Sequence, residues 1–372
     1  MKKLFVSLLR LGDVIMQKPL IESAGVGHEI HILINDEFAQ LAHLYPQFKF
    51  HLFPRKYLQN LINRPETSLL APFEELRHFM TELNKHGFRE VVNMTHTKLS
   101  AYVMDQIEAP IKRGLEFQKD RFKAFDNDDQ KYFNETFSSN TRSQMHYLAA
   151  LSKSLALPAP RLKNVEDRRS YDTVYLQVLT SDAKKNWHLQ NWQELAIRLN
   201  QIQPDWKIKV LCADFEVEKL QGYFSEDQIE VASLLEVREK LRTSRLLISG
   251  DTSIAHLAAE TSTPAIILSL GSSDYTKTMP WIHGHWILTA EIACSPCSHS
   301  VQCSQALHEC AESIRVSSVL SVVNGLERDQ YAYSLAKPEV LYRTEFDPQN
   351  GMKTVNHSNV GGQDVSKHTN VL

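Results

Sequence analysis

A chain of 372 residues is too long for one small module and sets an expectation of two domains. Its 41 lysines and arginines nearly balance 44 aspartates and glutamates, for a formal net charge of -3, so there is no global electrostatic case for binding nucleic acid or an anionic membrane. With 42% apolar and 23% charged residues, a sizeable core can be built and general disorder is excluded.

Lys2 and Lys3 precede an apolar run that resembles the start of a secretory signal. Arg10 and Asp13 interrupt that run, and no small-residue cleavage pattern follows. Apolar stretches such as residues 264–270 fall far short of the roughly 20 residues that span a bilayer. A cytoplasmic protein is therefore expected, with peripheral contact at the inner membrane its nearest approach to lipid. Residues 3–9 read as a buried strand, 14–23 as a helix, and 28–34 as a strand with Ile30, Ile32 and Ile34 on one face. Residues 48–53 then read as a strand, 72–86 as a helix and 89–94 as an apolar strand. This alternation predicts βαβ units and a parallel sheet covered by helices. Residues 118–140 are polar and lack periodicity, which predicts a surface excursion, and residues 141–155 regain helical spacing.

Leu157-Pro158-Ala159-Pro160 and the charged stretch from Glu166 to Arg169 mark a break in composition. The expected organisation is a first domain over 1–165, a second over 166–345, and a disordered tail over 346–372 that is rich in Asn, Gly, Ser, Asp and Lys. In the second domain, residues 173–178, 207–212, 229–231, 246–249 and 265–270 read as strands. Residues 192–201, 234–243 and 252–261 read as helices. Two successive α/β stretches of similar size predict a pair of doubly wound, Rossmann-like domains facing each other across a cleft.

Four turns follow predicted strands, where ligands of open α/β sheets bind. The first is Leu11-Gly12-Asp13-Val14, in which Asp13 reads either as a general base or as an ordinary helix cap. In the second, Thr180-Ser181-Asp182-Ala183-Lys184-Lys185, a lysine can meet a diphosphate, or the pair can simply solvate a loop. The third, Ser249-Gly250-Asp251-Thr252-Ser253, opens a helix whose amides suit a phosphate. His256 lies one turn on, and a packed histidine behind a good N-cap is the alternative. The fourth begins at Gly271. Asp214 or Glu218, after residues 207–212, can hold ribose hydroxyls. Arg10 and Arg113 can bind an acidic acceptor or form ion pairs.

Taken in order, Leu9-Arg10-Leu11-Gly12-Asp13-Val14 with Pro19, Lys185-Asn186-Trp187 with Trp192, and Gly250-Asp251-Thr252 with His256-Leu257-Ala258-Ala259, Pro264 and Gly271 resemble the lipopolysaccharide heptosyltransferases, the family 9 glycosyltransferases. The resemblance implies a GT-B fold and inverting transfer of heptose from ADP-heptose to a lipopolysaccharide core. It assigns Asp13 as the catalytic aspartate, Lys185 as the phosphate-binding lysine, and Asp251, Thr252 and His256 to the donor turn. Lysine and helix-start amides can stabilise the leaving diphosphate, so no cofactor is expected for the chemistry. The family usually carries glycine where Ser253 stands and aspartate where Asn93 stands. These departures leave open a non-catalytic homologue that still binds a nucleotide sugar.

Cys294, Cys297, Cys303 and Cys310 put four soft ligands within a short stretch, a spacing that suits structural Zn or Fe, with reduced loop thiols as the alternative. The autotransporter heptosyltransferases resemble this chain in that respect. They carry cysteine-bound iron and modify protein serines, which makes a protein an alternative acceptor to a lipid-linked saccharide. A zinc knuckle for nucleic acid is disfavoured, because residues 291–314 contain no Lys or Arg.

Overall fold

Leu4, Phe5 and Val6 are fully buried in the first strand, β1 (Lys2–Ser7), and the chain winds outward from that strand in both directions. The computed structural model describes residues 1–64, 66, 68, 70–118, 121–122, 128–137, 142–298, 302–330, 333 and 335–358. They fall into two units, Met1–Arg161 and Leu162–Leu372.

In the first unit, β1 is followed by α1 (Leu11–Ala24), β2 (Glu29–Asn35), α2 (Leu41–Leu44), β3 (Lys49–Phe53), α3 (Arg55–Ile62) and α4 (Ala71–Asn84). Next come β4 (Glu90–Asn93), α5 (Lys98–Gln106) and β5 (Ile111–Arg113). The sheet order is β3-β2-β1-β4-β5 and every pairing is parallel, a doubly wound sheet whose order reverses between β1 and β4. A short hairpin, β6 (Phe117–Gln118) and β7 (Arg121–Phe122), precedes α6 (Asp128–Phe137) and α7 (Tyr147–Ser154). The surface excursion expected over 118–140 is thus a helix over residues 128–137, and part of that range lies outside the described residues. Phe133 explains the helix: it is buried, stacks on Phe137 one turn later, and packs against Tyr147.

A buried ion network crosses this sheet. Lys3 donates to the Ala24 carbonyl and pairs with Glu90 at 3.0 Å, and Glu90 also accepts from Arg113 Nε at 2.6 Å. Burial works to raise the Glu90 carboxyl, but Arg113 and Lys3 outweigh it and hold the group below the ordinary carboxylate range. A depressed carboxyl contributes stability above its unfolded pKa and loses it as pH falls. Glu90→Gln should therefore destabilise the protein by about 3 kcal/mol at neutral pH, by leaving Lys3 buried without its partner. The gap should shrink on acidification, which denaturant unfolding at the two pH values will check.

The second unit runs β8 (Thr173–Gln177), α8 (Leu189–Ile202), β9 (Lys207–Cys212), α9 (Val217–Leu220), β10 (Ile229–Val231), α10 (Leu234–Arg242), β11 (Leu246–Gly250) and α11 (Ser253–Glu260). It continues with β12 (Ala265–Ser269), α12 (Tyr275–Thr278), β13 (Trp286–Ala290), α13 (Glu309–Glu312), α14 (Val316–Arg328), β14 (Glu339–Asp347) and β15 (Gly351–Asn356). Strand order is β10-β9-β8-β11-β12-β13-β14-β15, parallel through β13 and antiparallel beyond it. β11, β12 and β13 are buried along their whole length, as expected of strands covered on both faces. The reversal lies between β8 and β11.

The tail expected from residue 346 is corrected in part. β14 runs to Asp347 and pairs with β15 through Tyr342↔Asn356 and Asp347↔Gly351. Gly351 sits at φ +78, and a Cβ there would meet the Trp281 ring at 2.9 Å. The polar residues belong to an edge hairpin, whose one solvated face resembles disordered composition. Residues 359–372 lie outside the described residues.

Candidate functional site

In the first unit the strand order reverses between β1 and β4, the place where ligands of open α/β sheets bind, and the turns leaving these two strands lie there. Thr95 joins them: its hydroxyl accepts from the Leu8 N–H at 2.9 Å and donates to the Val6 carbonyl at 3.3 Å. Asp13, partly buried in the first turn of α1, accepts from the Arg10 N–H through Oδ2 at 3.2 Å. The cap and the general base that the sequence left as alternatives are compatible, because an ionised carboxylate offers about four lone-pair sites. One turn on, buried Gln17 pins the helix. It accepts from Ser7 Oγ at 2.6 Å and donates to the Met94 carbonyl and to the Tyr147 hydroxyl. Burial, with the Asp13 charge adding to it, pushes the Tyr147 phenol well up, so Tyr147 stays protonated and donates to the Met94 carbonyl at 3.0 Å. Sequence reading missed Gln17, although a glutamine four residues after Asp13 shares its helical face.

Arg10 is exposed at the head of α1. Arg113 is held by Glu90 and the Leu155 carbonyl, which is the ion-pair alternative. Asn93 is fully buried: its Nδ2 donates to Ser100 Oγ and the Leu115 carbonyl, and its Oδ1 accepts from the Thr95 N–H. This departure from the usual aspartate shapes the turn after β4. His96, in that same turn, lies against Phe133 with ring centroids 4.2 Å apart, and burial lowers its pKa to about 4. Nothing in the sequence reading pointed to it.

In the second unit, the turns after β8 and β11 meet. Lys185 Nζ donates to Asp251 Oδ2 at 2.7 Å, and the two side chains are 14% and 7% exposed. Burial works to raise the Asp251 carboxyl, but the charge and hydrogen bond of Lys185 outweigh it and leave it below the ordinary range, hence ionised. The local sequence places the lysine. Trp187, two residues on, is buried and donates its indole N–H to the Ile314 carbonyl, and Asn186 Oδ1 accepts from the Thr180 N–H at 2.8 Å. Thr252 caps α11 by accepting from the Ile254 N–H at 3.2 Å, with half-buried Ser253 opening the helix. His256 is buried on α11, burial lowers its pKa to about 4, and its Nδ1 has no hydrogen-bond partner among the described residues.

Gly271 is required at its position. Its φ is +58, and a Cβ would meet the Lys184 carbonyl oxygen at 2.1 Å. The loop after β12 can therefore pass directly beneath the lysine loop, where Ser272 Oγ donates to Asp182 Oδ2 at 2.8 Å. Lys184 donates instead to the Ser298 carbonyl. Thr180 Oγ1 donates to the Asp182 carbonyl, while Ser181 is exposed. The Asp214 and Glu218 side chains are exposed beyond β9. A recess of about 550 Å³ between α8 and α14, lined in part by Arg198, Asn324 and Arg328, includes none of these residues.

Two of the cysteines gather at Gly271, whose carbonyl accepts from the Cys297 N–H. Among the described residues, no three of Cys294, Cys297, Cys303 and Cys310 have their sulfurs within 4.8 Å of one another. Cys310 Sγ accepts from the Gly271 N–H, Cys303 is exposed, and burial pushes the thiols of Cys294, Cys297 and Cys310 up. The group of at least three His, Cys, Asp or Glu ligands that does converge among the described residues is His31, His51 and His86.

No helix among the described residues is long and apolar enough to cross a membrane. The family model for glycosyltransferase family 9 (heptosyltransferase) matches residues 76–308. The chain is similar in structure to E. coli heptosyltransferase WaaC with ADP, at 14% identity and a TM-score of 0.60, over 88% of this chain and 100% of that one. It is also similar to a family 9 glycosyltransferase from Veillonella parvula, at 13% identity and a TM-score of 0.61, over 88% and 97% of the two chains. E. coli ADP-heptose lps heptosyltransferase II matches at 14% identity and a TM-score of 0.60, over 89% and 100%. These likenesses are of fold. No curated protein sequence matches the chain.

Proposed function

Because the chain belongs to glycosyltransferase family 9, the heptosyltransferase family, we propose that it moves a heptose from ADP-heptose to a lipopolysaccharide core acceptor with inversion at the anomeric carbon. The observation that carries this reading is the buried Lys185–Asp251 pair at the reversal point of the second sheet. Such a lysine serves a substrate that brings its own negative charge. Asp251 fixes the ammonium in advance, and an ammonium has three protons to share between Asp251 and a diphosphate.

The roles follow from the chemistry. Asp13 takes the proton of the acceptor hydroxyl as the oxygen bonds to the anomeric carbon. The bond from that carbon to the diphosphate breaks, and the leaving group departs with the electron pair through an oxocarbenium-like transition state. Lys185 and the amides that open α11, at its cap Thr252 and at Ser253, neutralise the charge that develops on the leaving group. Thr180, Ser181 and Gly271 border the donor turn. The unpartnered His256 Nδ1 is a neutral acceptor for a donor hydroxyl, and Asp214 a partner for the ribose. Arg10 serves an acidic acceptor. The candidate patch for peripheral contact with lipid is Arg55, Lys56 and Arg64, of which Lys56 and Arg64 are exposed.

A thermal-shift panel of nucleotide sugars tests the donor. ADP-heptose at about 100 times its Kd should stabilise the protein by roughly 2.7 kcal/mol, while UDP-sugars do nothing. Stabilisation by another donor with none from ADP-heptose overturns the assignment. Transfer assayed on a core oligosaccharide against a serine peptide settles the acceptor.

A further inference from the structure

The three converging histidines lie in the first unit, away from the turns that carry Asp13. β2 and β3 are parallel and in a register that pairs His31 with Lys49 and Leu33 with His51, so His31 and His51 are diagonal neighbours on one face of the sheet. His86 joins them from the turn between α4 and β4. The His51 and His86 ring centroids are 4.6 Å apart, and His31 Nδ1 lies 2.8 Å from His51 Nε2. One ligand nitrogen from each ring falls within 4.8 Å of the other two.

The surroundings resemble those that orient a ligating imidazole. Glu29 Oε1 lies 3.0 Å from His31 Nε2, and a carboxylate can only accept there, so Nε2 carries the hydrogen and the lone pair sits on Nδ1, facing His51. A carboxylate behind a histidine in this way fixes ring orientation and raises basicity toward a metal. Phe88 packs edge-on against His31 and walls the inner side of the cluster. Lys49, 2.7 Å from Glu29, holds the carboxylate in place.

We propose that His31, His51 and His86 form a binding site for one divalent transition-metal ion, with Zn²⁺ the best fit. Imidazole nitrogen is a ligand for Zn, Cu, Fe and Ni, and three histidines leave a fourth tetrahedral position to water. Zn–N bonds of about 2.0–2.1 Å set ligand nitrogens roughly 3.3 Å apart. A nitrogen no more than 4.8 Å from its partners then has to move by roughly 1.5 Å at most, within reach of χ rotation in a surface turn. The ion would tie edge strand β3 and the α4–β4 turn to β2. It sits toward the amino-terminal ends of the strands, whereas ligands of such sheets bind at the carboxyl ends, so its role is structural.

The test uses the full chain carrying Cys294→Ser and Cys297→Ser, stripped with a chelator and titrated with Co²⁺ as a spectroscopic probe. One equivalent should bind with the visible bands of tetrahedral cobalt and no thiolate charge transfer, and Zn²⁺ should displace it. His86→Ala, on a surface turn, should weaken binding by at least about 100-fold, and Glu29→Gln by about 10-fold. His51→Gln supplies a second ligand loss should His86→Ala fail to fold, with circular dichroism of the metal-free form as the check. Absence of stoichiometric binding, or uptake that survives the histidine substitutions, overturns the proposal. So does uptake by the unsubstituted chain that is lost in the cysteine variant.

Discussion

Asp13→Asn should lower kcat by about 10² to 10⁴-fold, the range a positioned general base contributes, while donor affinity changes little. The substitution isolates chemistry from structure for a specific reason. Asp13 accepts from the Arg10 N–H at the start of α1, and an asparagine oxygen accepts there nearly as well, so the helix start survives. Gln17, Ser7 and Tyr147 still pin the next turn. The amide cannot take a proton from an attacking hydroxyl. Unchanged thermal stability with unchanged donor binding and collapsed turnover is therefore the expected pattern. Transfer retained within about tenfold of the parent would remove Asp13 from the base role and favour a non-catalytic homologue or a different base.

How much of this was legible in the sequence depended on whether the relevant contact was local. β11 and β12 could be read because burial on both faces makes them continuous apolar runs. The Lys185 turn could be read because Asn186 and Trp187, which hold it, are adjacent in sequence. Edge strand β15 and the end of β14 that pairs with it were misread because their exposed polar face has the composition of a tail. The cue was present in Asp347-Pro348-Gln349-Asn350-Gly351, since Asn-Gly is a strong hairpin signal. The cysteine spacing is legible as a candidate knuckle, whereas the meeting of the Cys297 N–H and the Cys310 sulfur at Gly271 is set by sheet geometry and not by spacing. The histidine trio has no motif at all: parallel register and the length of α4 bring it together. Asn93 shows a third case, in which a departure from a family pattern is explained by the buried amide's own hydrogen bonds.

Lys185→Ala carries the largest expected effect, and two consequences have to be separated. The substitution leaves Asp251 buried beside a void. Breaking a buried pair from one side costs about 3–5 kcal/mol, or roughly 6–20 °C in Tm for a unit of this size. It also removes the charge proposed to meet the diphosphate, an interaction worth about 10²–10³ in kcat when a comparable donor to a developing oxyanion is lost. A stability defect alone can mimic the second effect, so the informative variant is Lys185→Met with Asp251→Asn. Neutralising both partners removes the uncompensated charge, and stability should return to within about 1–2 kcal/mol of the parent. If the lysine serves the donor, turnover and ADP-heptose stabilisation stay lost in that double variant. If the pair is only structural, both return with the fold. The pH dependence is an internal check: Asp251 is held below the ordinary carboxylate range, so the pair's contribution is full above the unfolded pKa and fades as pH falls through the folded one. The stability gap between the parent and Lys185→Ala should therefore close on acidification, whereas a packing defect alone would leave it constant.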